Sequence, residues 1–260
     1  MTFNEFNLKD LLQKAIDEAG FKEPSPIQEQ AIPFVLAGRD IVGQAHTGTG
    51  KTAAFGLPIL NNMKGNSGVE AVVIVPTREL AMQVSDELYR FGKFLGINTA
   101  TVYGGQAYAR QIKLIENAGI IVATPGRFLD LLRGGKIDIK PNYVILDEAD
   151  EMLDMGFLDD IKEIFTFLPE ERQTLLFSAT MPVAIKNLAK TILKDPEFIT
   201  LTKKDVTNSK ITQTFYVVDE RERDDALIRL YDFKNPSKSI IFCRTKKEVD
   251  RLSTFMVSQG

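Results

Sequence analysis

Residues 41–60 read IVGQAHTGTGKTAAFGLPIL. An aliphatic run, Ile41-Val42-Gly43-Gln44, feeds a glycine-punctuated turn, AHTGTGKT (45–52), and a helix is expected over about 51–62. Strand, glycine-rich turn and helix N-terminus in that order make the setting of a phosphate-binding loop. Gly48 and Gly50 let backbone amides turn inward around phosphate oxygens, with Ala45, Thr47 and Thr49 completing the loop. Lys51 brings a positive charge to the outer phosphates, and the Thr52 hydroxyl suits Mg²⁺. The general pattern opens on glycine; here Ala45 holds that place. The bland alternative is a turn with a chance lysine, and His46 within it reads as a solvent-facing loop residue.

The same strand-to-helix alternation recurs along the chain. AVVIVP (71–76), NTATVY (98–103), GIIVAT (119–124), YVILDE (143–148) and TLLFSAT (174–180) are short, rich in aliphatic and β-branched residues and nearly free of polar alternation. That is the pattern of strands buried on both faces of a parallel sheet. Amphipathic stretches such as 79–95 and 182–193 lie between them. The fold expected is a three-layer α/β/α domain with a mostly parallel sheet and right-handed crossovers. Two helices should precede it, one over about 8–19 capped by Asn7, the other opening at Ser25 and Pro26. The polar run TKKDVTNSK (202–210) suggests an interdomain linker. The division expected is residues 1–202, a linker at 203–210, and the opening of a second domain at 211–260, with strands at ITQTFYVV (211–218) and SIIFCRT (239–245) and helices at 223–233 and 246–257.

Bulk properties constrain function less. The 260 residues carry a net charge of −3, divided as −6 over residues 1–202 and +3 over the remainder. Nothing in the total charge signals a nucleic-acid partner. One cysteine, Cys243, excludes an intramolecular disulfide and suits a reducing cytoplasm. One histidine and one cysteine argue against zinc. The N-terminus has neither the basic nor the apolar region of a signal peptide, and no apolar run approaches the ~20 residues of a membrane span.

A phosphate loop needs an acid at the carboxyl end of a neighbouring strand. YVILDEAD (143–150) supplies Asp147, a candidate Mg²⁺ ligand alongside Thr52, and Glu148, placed to orient or deprotonate an attacking water. An acidic helix start favoured by the helix dipole is the plainer reading, but it leaves the apolar strand feeding these acids unexplained.

Asp147-Glu148-Ala149-Asp150 is also the tetrapeptide for which the DEAD-box RNA helicases are named, and further stretches in chain order resemble that family's motifs. GFKEPSPIQ (20–28) resembles its adenine-recognition motif, which implies that Phe21 stacks on adenine, Gln28 reads its amino edge and Phe3 braces the motif. PTRELA (76–81), Gly104-Gly105 and TPGR (124–127) resemble its RNA-backbone contacts, implying roles for Pro76, Thr77, Arg78, Gly104, Gly105, Thr124, Gly126 and Arg127. Ser178-Ala179-Thr180 resembles the motif that couples hydrolysis to strand separation, and SIIFCRT the first motif of the second domain. Residues 38–60 are most similar to bacterial cold-shock-type members. The resemblance implies a RecA-like fold with an incomplete second RecA-like domain, ATP and Mg²⁺ as cofactors, RNA bound through its backbone without sequence preference, and protein partners in the ribosome or RNA decay. The family's γ-phosphate arginines would lie beyond residue 260, which implies nucleotide binding with poor hydrolysis. Each short motif has a plain structural alternative: strand-ending prolines, an ordinary Gly-Gly turn, or a helix cap by Ser178 and Thr180. A DNA translocase and an ATP-gated RNA clamp remain open, the adenine motif weighing against the first.

Overall fold

In the computed structural model, residues 1–65, 68–201, 212 and 214–259 are described, and the chain divides into two compact units, 1–207 and 208–260. The expected linker, 203–210, lies outside the described residues.

The first unit opens with a 3-10 turn, Phe3–Phe6, and two helices, α1 (Asp10–Glu18) and α2 (Pro26–Leu36). There follow β1 (Ile41–Gln44), α3 (Lys51–Asn62), β2 (Ala71–Ile74), α4 (Arg78–Gly92), β3 (Thr99–Val102), α5 (Tyr108–Ile115), β4 (Ile120–Ala123) and α6 (Pro125–Arg133). The unit continues with β5 (Tyr143–Leu146), α7 (Ala149–Asp154), α8 (Leu158–Phe167), β6 (Gln173–Ser178), α9 (Val183–Ile192) and β7 (Glu197–Thr200).

All seven strands are parallel, in the order β3-β4-β2-β5-β6-β1-β7. Successive strand side chains point to opposite faces, so a both-faces-buried strand feeds two cores at once. Ile41, Val73, Ile145, Leu175 and Phe177 join α1–α4 in one core. Val42, Val72, Ile74, Val144, Leu146 and Leu176 join α5–α9 in the other. This is why the strand runs show no polar alternation.

Three local expectations change. Asn7 does not cap α1: it closes the preceding 3-10 turn in the left-handed region (φ 52°), and Lys9 occupies the cap position. β7 escaped the apolar-run reading because it is an edge strand with only Ile199 buried. The runs expected as strands at 211–218 and 239–245 are not strands where described. A strand exists through its partner's hydrogen bonds, and neither run has one; Val217 (93%) and Phe242 (90%) are exposed. The helices of that unit do form, α10 (Arg223–Lys234) and α11 (Lys246–Ser258), joined by a bidentate Arg251–Asp224 pair at 2.5 and 3.0 Å.

Asp40 secures the end of the sheet opposite the glycine-rich turn. Its buried carboxylate accepts from Thr174 N (2.8 Å), entering β6, and from Lys194 N (2.7 Å), just before β7. Asp40→Ala strands both amides. Each unsatisfied buried amide costs roughly 1–3 kcal/mol, so urea unfolding of this variant is expected to show a loss of about 2–4 kcal/mol; a loss below about 0.5 kcal/mol would discount the clamp.

Candidate functional site

A parallel sheet delivers every strand's carboxyl end to one rim, and the strand order sorts what arrives there. The turns after β3, β4 and β2 carry Gly104-Gly105, 124–127 and 76–78. Those after β5, β6 and β1 carry Asp147-Glu148, Ser178–Thr180 and the glycine-rich loop.

In the second group, β1 and β5 flank β6, a separation of about 10 Å from the spacing of adjacent strands. Lys51, the first residue of α3, spans it: its Nζ lies 3.3 Å from Asp147 Oδ1 and 4.0 Å from Glu148 Oε1. Both Lys51 (6% exposed) and Asp147 (3%) are nearly sealed from solvent. The lysine Nζ makes no aligned hydrogen bond among the described residues. Burial pushes the Asp147 carboxyl above its usual range, and Lys51 opposes that shift only in part. Burial raises Glu148 in the same way. Glu148 also holds left-handed backbone angles (φ 58°, ψ 51°), a conformation that is strained for a residue with a side chain and that recurs at functional sites.

The loop itself is strapped down from α2. Ser25 Oγ donates to Thr49 O (2.7 Å) and Gln28 Nε2 to Gly50 O (3.0 Å), while Gln28 Oε1 accepts from Ser25 N (2.9 Å). A Cβ at residue 50 would sit 2.4 Å from Gln28 Nε2, and its φ is +90°, so only glycine fits there. Gly48 has φ +78° with open space before it. Thr49 Oγ1 donates to His46 O; His46 and Thr47 are exposed, and Ala45 is buried, its amide held by Ser178 O. Phe21 is partly buried, packed edge-on against Phe3 and tilted against Phe91. Thr52 neighbours Glu87 of α4, whose carboxyl burial raises in spite of that hydroxyl. Glu87 was not legible in the sequence, because it lies thirty-five residues from Thr52 on a helix that reads as ordinary amphipathic surface.

Ser178–Thr180 are tied to Asp150. The Asp150 carboxylate accepts from Thr180 N (2.8 Å), Thr180 Oγ1 (2.9 Å) and Ala179 N (3.3 Å), while Ser178 Oγ accepts from Asp150 N (3.1 Å). Ser178 and Thr180 therefore do not cap α9, whose cap position is Pro182.

At the other half of the rim, Thr77 caps α4 by accepting from Leu80 N (3.2 Å), and buried Pro76 ends its strand. The Arg78 guanidinium lies against the next turn: a Cβ on Gly105 would meet it at 3.2 Å, and one on Gly104 at 3.6 Å. Thr124 is the cap residue of α6 with its hydroxyl unused, and Gly126 faces open space. Arg127 stacks on Tyr108 at 4.2 Å and donates through Nη1 to Gln106 O and Gln111 Oε1.

Residues 25–188 match the family model for the DEAD/DEAH box helicase. The chain belongs to that family. It is 56% identical over its whole length to the DEAD-box ATP-dependent RNA helicase RhpA of Helicobacter pylori, covering 53% of that protein. It is 48% identical to the DEAD-box ATP-dependent RNA helicase CshA of Bacillus subtilis, again over the whole chain and 53% of the relative. The chain thus spans about half the length of these curated relatives. The crystal structure of a DEAD box protein from Methanococcus jannaschii superposes with a TM-score of 0.76 at 41% identity, covering 100% of this chain and 71% of that one. The seven-stranded unit is accordingly the family's RecA-like domain. Among the described residues no helix is long and apolar enough to cross a membrane.

Asp150 gives a pH-dependent test. Burial raises its carboxyl, but hydrogen bonds from Ser178, Thr180 and Ala179 outweigh it and hold the group below the ordinary range. A depressed carboxyl stabilises the fold above the unfolded value of about 3.9, and the contribution fades as pH falls through the lower folded value. Asp150→Asn is expected to unfold at lower urea, by about 1 kcal/mol at pH 7 given the partial exposure, with the gap narrowing near pH 3. An equal gap at both pH values would contradict the assignment.

Proposed function

We propose that this chain is the nucleotide-binding part of an ATP-dependent RNA helicase that uses ATP and Mg²⁺ to remodel RNA duplexes through backbone contacts, without sequence preference. One observation carries the reading: the Lys51 ammonium is buried at the head of α3, paired with Asp147, and has no aligned hydrogen-bond acceptor. A buried cation left under-satisfied costs stability; phosphate oxygens in the loop would complete its coordination.

The donor set fits a hard cation that takes oxygen ligands and keeps its waters. No cluster of three or more His, Cys, Asp or Glu forms a metal cage among the described residues, so protein oxygens alone would not enclose the ion. Asp147 and Thr52 would hold Mg²⁺, which supplies charge neutralisation at the phosphates. Gly48 and Gly50 amides and the α3 N-terminus cradle the phosphate oxygens. Glu148 takes the proton of the attacking water at its carboxylate. Phe21 packs against adenine, and Gln28 reads its N6 and N7 edge through the amide valences left by its contacts to Ser25 and Gly50. Arg78, Thr77, Gly104, Gly105, Thr124, Gly126 and Arg127 hold phosphates and 2′-hydroxyls at the other half of the rim. The Asp150 network joins the end of β5 to Ser178–Thr180, which suits these residues to pass a change at Asp147-Glu148 to the neighbouring turn. In the whole protein, a second RecA-like domain closing over ATP would complete the RNA groove and supply γ-phosphate arginines. The relatives' names support an RNA substrate, ribosomal or RNA-decay partners follow from the same kinship, and the reading places the protein in the cytoplasm.

Nucleotide titrations test this. ATP is expected to bind this 260-residue chain with preference over GTP and with little turnover. Lys51→Ala should weaken phosphate-dependent affinity roughly tenfold or more, the scale of a lost charged contact. Gln28→Ala should erase the adenine preference. Equal ATP and GTP affinity before mutation would remove the adenine assignment, and brisk RNA-stimulated hydrolysis by this chain would remove the dependence on a second domain.

A further inference from the structure

Gln111, one turn into α5, belongs to none of the motifs quoted above, yet it is fully buried. Its amide works in both directions. Nε2 donates to Tyr103 O at 2.8 Å, and Oε1 accepts from Arg127 Nη1 at 2.9 Å. The same Nη1 donates to Gln106 O at 2.7 Å. Tyr103 and Gln106 are the residues on either side of Gly104-Gly105, so one glutamine and one arginine grip both ends of that turn.

One further contact holds the guanidinium, and two more fix the ring it stacks on. Its plane lies over the Tyr108 ring at 4.2 Å, Lys136 Nζ stands 3.4 Å from the same ring, and the Tyr108 hydroxyl bonds Asp130 Oδ2 at 3.3 Å. Nη1 carries two hydrogens, and both have acceptors. Nε and Nη2 make no hydrogen bond among the described residues. The arginine is thus anchored by one corner, Nη1.

A buried neutral amide is costly unless both its ends are satisfied, and a leucine of similar size would fill the same space without that demand. The polar choice is accounted for by what it holds. We infer that Gln111 is a positioning residue for RNA-backbone binding: it sets the free edge of Arg127 and the Gly104-Gly105 turn as one preformed phosphate cradle. The inference rests on the RNA reading proposed above. An arginine already immobilised loses less freedom on binding than a free one, and the same holds for the turn.

The test uses the 260-residue chain and a fluorescent ten-nucleotide oligouridylate in low salt, read by anisotropy. Gln111→Leu is expected to weaken RNA binding roughly five- to tenfold, the scale of one side chain left to be ordered on binding, with ATP affinity unchanged. Gln111→Glu, which keeps an acceptor for Arg127 but loses the donor to Tyr103 O, should recover only part of the loss and serves also should the leucine variant fail to fold. Arg127→Ala should weaken binding by itself, and adding Gln111→Leu to it should change little, because one acts through the other. Amide hydrogen exchange over 103–107 should quicken in Gln111→Leu. Normal RNA affinity in Gln111→Leu alongside weakened Arg127→Ala overturns this inference and leaves the RNA reading standing, as do additive losses, a parallel loss of ATP affinity or unchanged exchange. No RNA binding by the unmodified chain, or none lost in Arg127→Ala, overturns the RNA reading of this rim and the inference with it.

Discussion

A lysine ammonium and an aspartate carboxylate, both nearly dehydrated, face each other at 3.3 Å across the width of β6. Such a pair is poor value as a structural device. Removing two charges from water costs several kcal/mol per ion, and attraction at this distance regains it only where further hydrogen bonds complete each group. Here they do so only in part: Asp147 Oδ1 accepts from Glu148 N at 3.0 Å, but Lys51 lacks an aligned acceptor among the described residues, and the Asp147 carboxyl remains raised by burial in spite of the lysine. An arrangement that gives up stability in this way is understandable when its incomplete valences are kept for a ligand. The rest of the domain reads as the means of holding these groups in place. A parallel sheet sends both chain segments to one rim, two apolar cores immobilise the strands, and α2 straps the loop that carries the lysine.

Strand order then decides which chemistries become neighbours. The glycine-rich loop, the two acids and Ser178–Thr180 follow the adjacent strands β1, β5 and β6; the three candidate RNA segments follow β2, β3 and β4. The boundary falls between β2 and β5, which are hydrogen-bonded along their length. The halves are therefore distinct yet contiguous, and Asp150 ties the turn after β5 to the turn after β6 by four hydrogen bonds. A change in contacts at Asp147 has a short covalent and hydrogen-bonded path to Thr180.

Much of this could be read from the chain alone, for a definite reason. Strands buried on both faces must be apolar at every position, so 71–76, 119–124 and 143–146 announce themselves, and glycine before a helix with a lysine has few other uses. Local chemistry was also visible where it acts within a few residues, as at Ser25 and Pro26, the N-cap and first residue of α2. What stayed hidden is what depends on pairing at a distance. β7 carries one buried side chain, so its pattern resembles a loop until β1 supplies its hydrogen bonds. The runs at 214–218 and 239–245 show the converse, strand-like composition without a partner. Glu87 and Gln111 sit on amphipathic helices where one polar residue looks like another; only the fold reveals that they face Thr52 and Arg127.

α4 gives that last point a mechanical sense. Its first residue, Arg78, lies against Gly104 and Gly105 in one half of the rim, and Glu87, two and a half turns on by helical geometry, neighbours Thr52 in the other. Leu88, next to Glu87, packs so closely on Gly56 of α3 that a Cβ there would stand 2.5 Å from it. A helix wedged against a neighbour at that distance transmits a shift as a rigid body more readily than it absorbs one, because packed interiors resist small displacements. A displacement of α4 at Glu87, beside Thr52, would therefore be felt at Arg78. The two halves of the rim are thus joined twice, through the paired strands β2 and β5 in the sheet and through α4 in the helical layer, so that neither half can shift without bearing on the other.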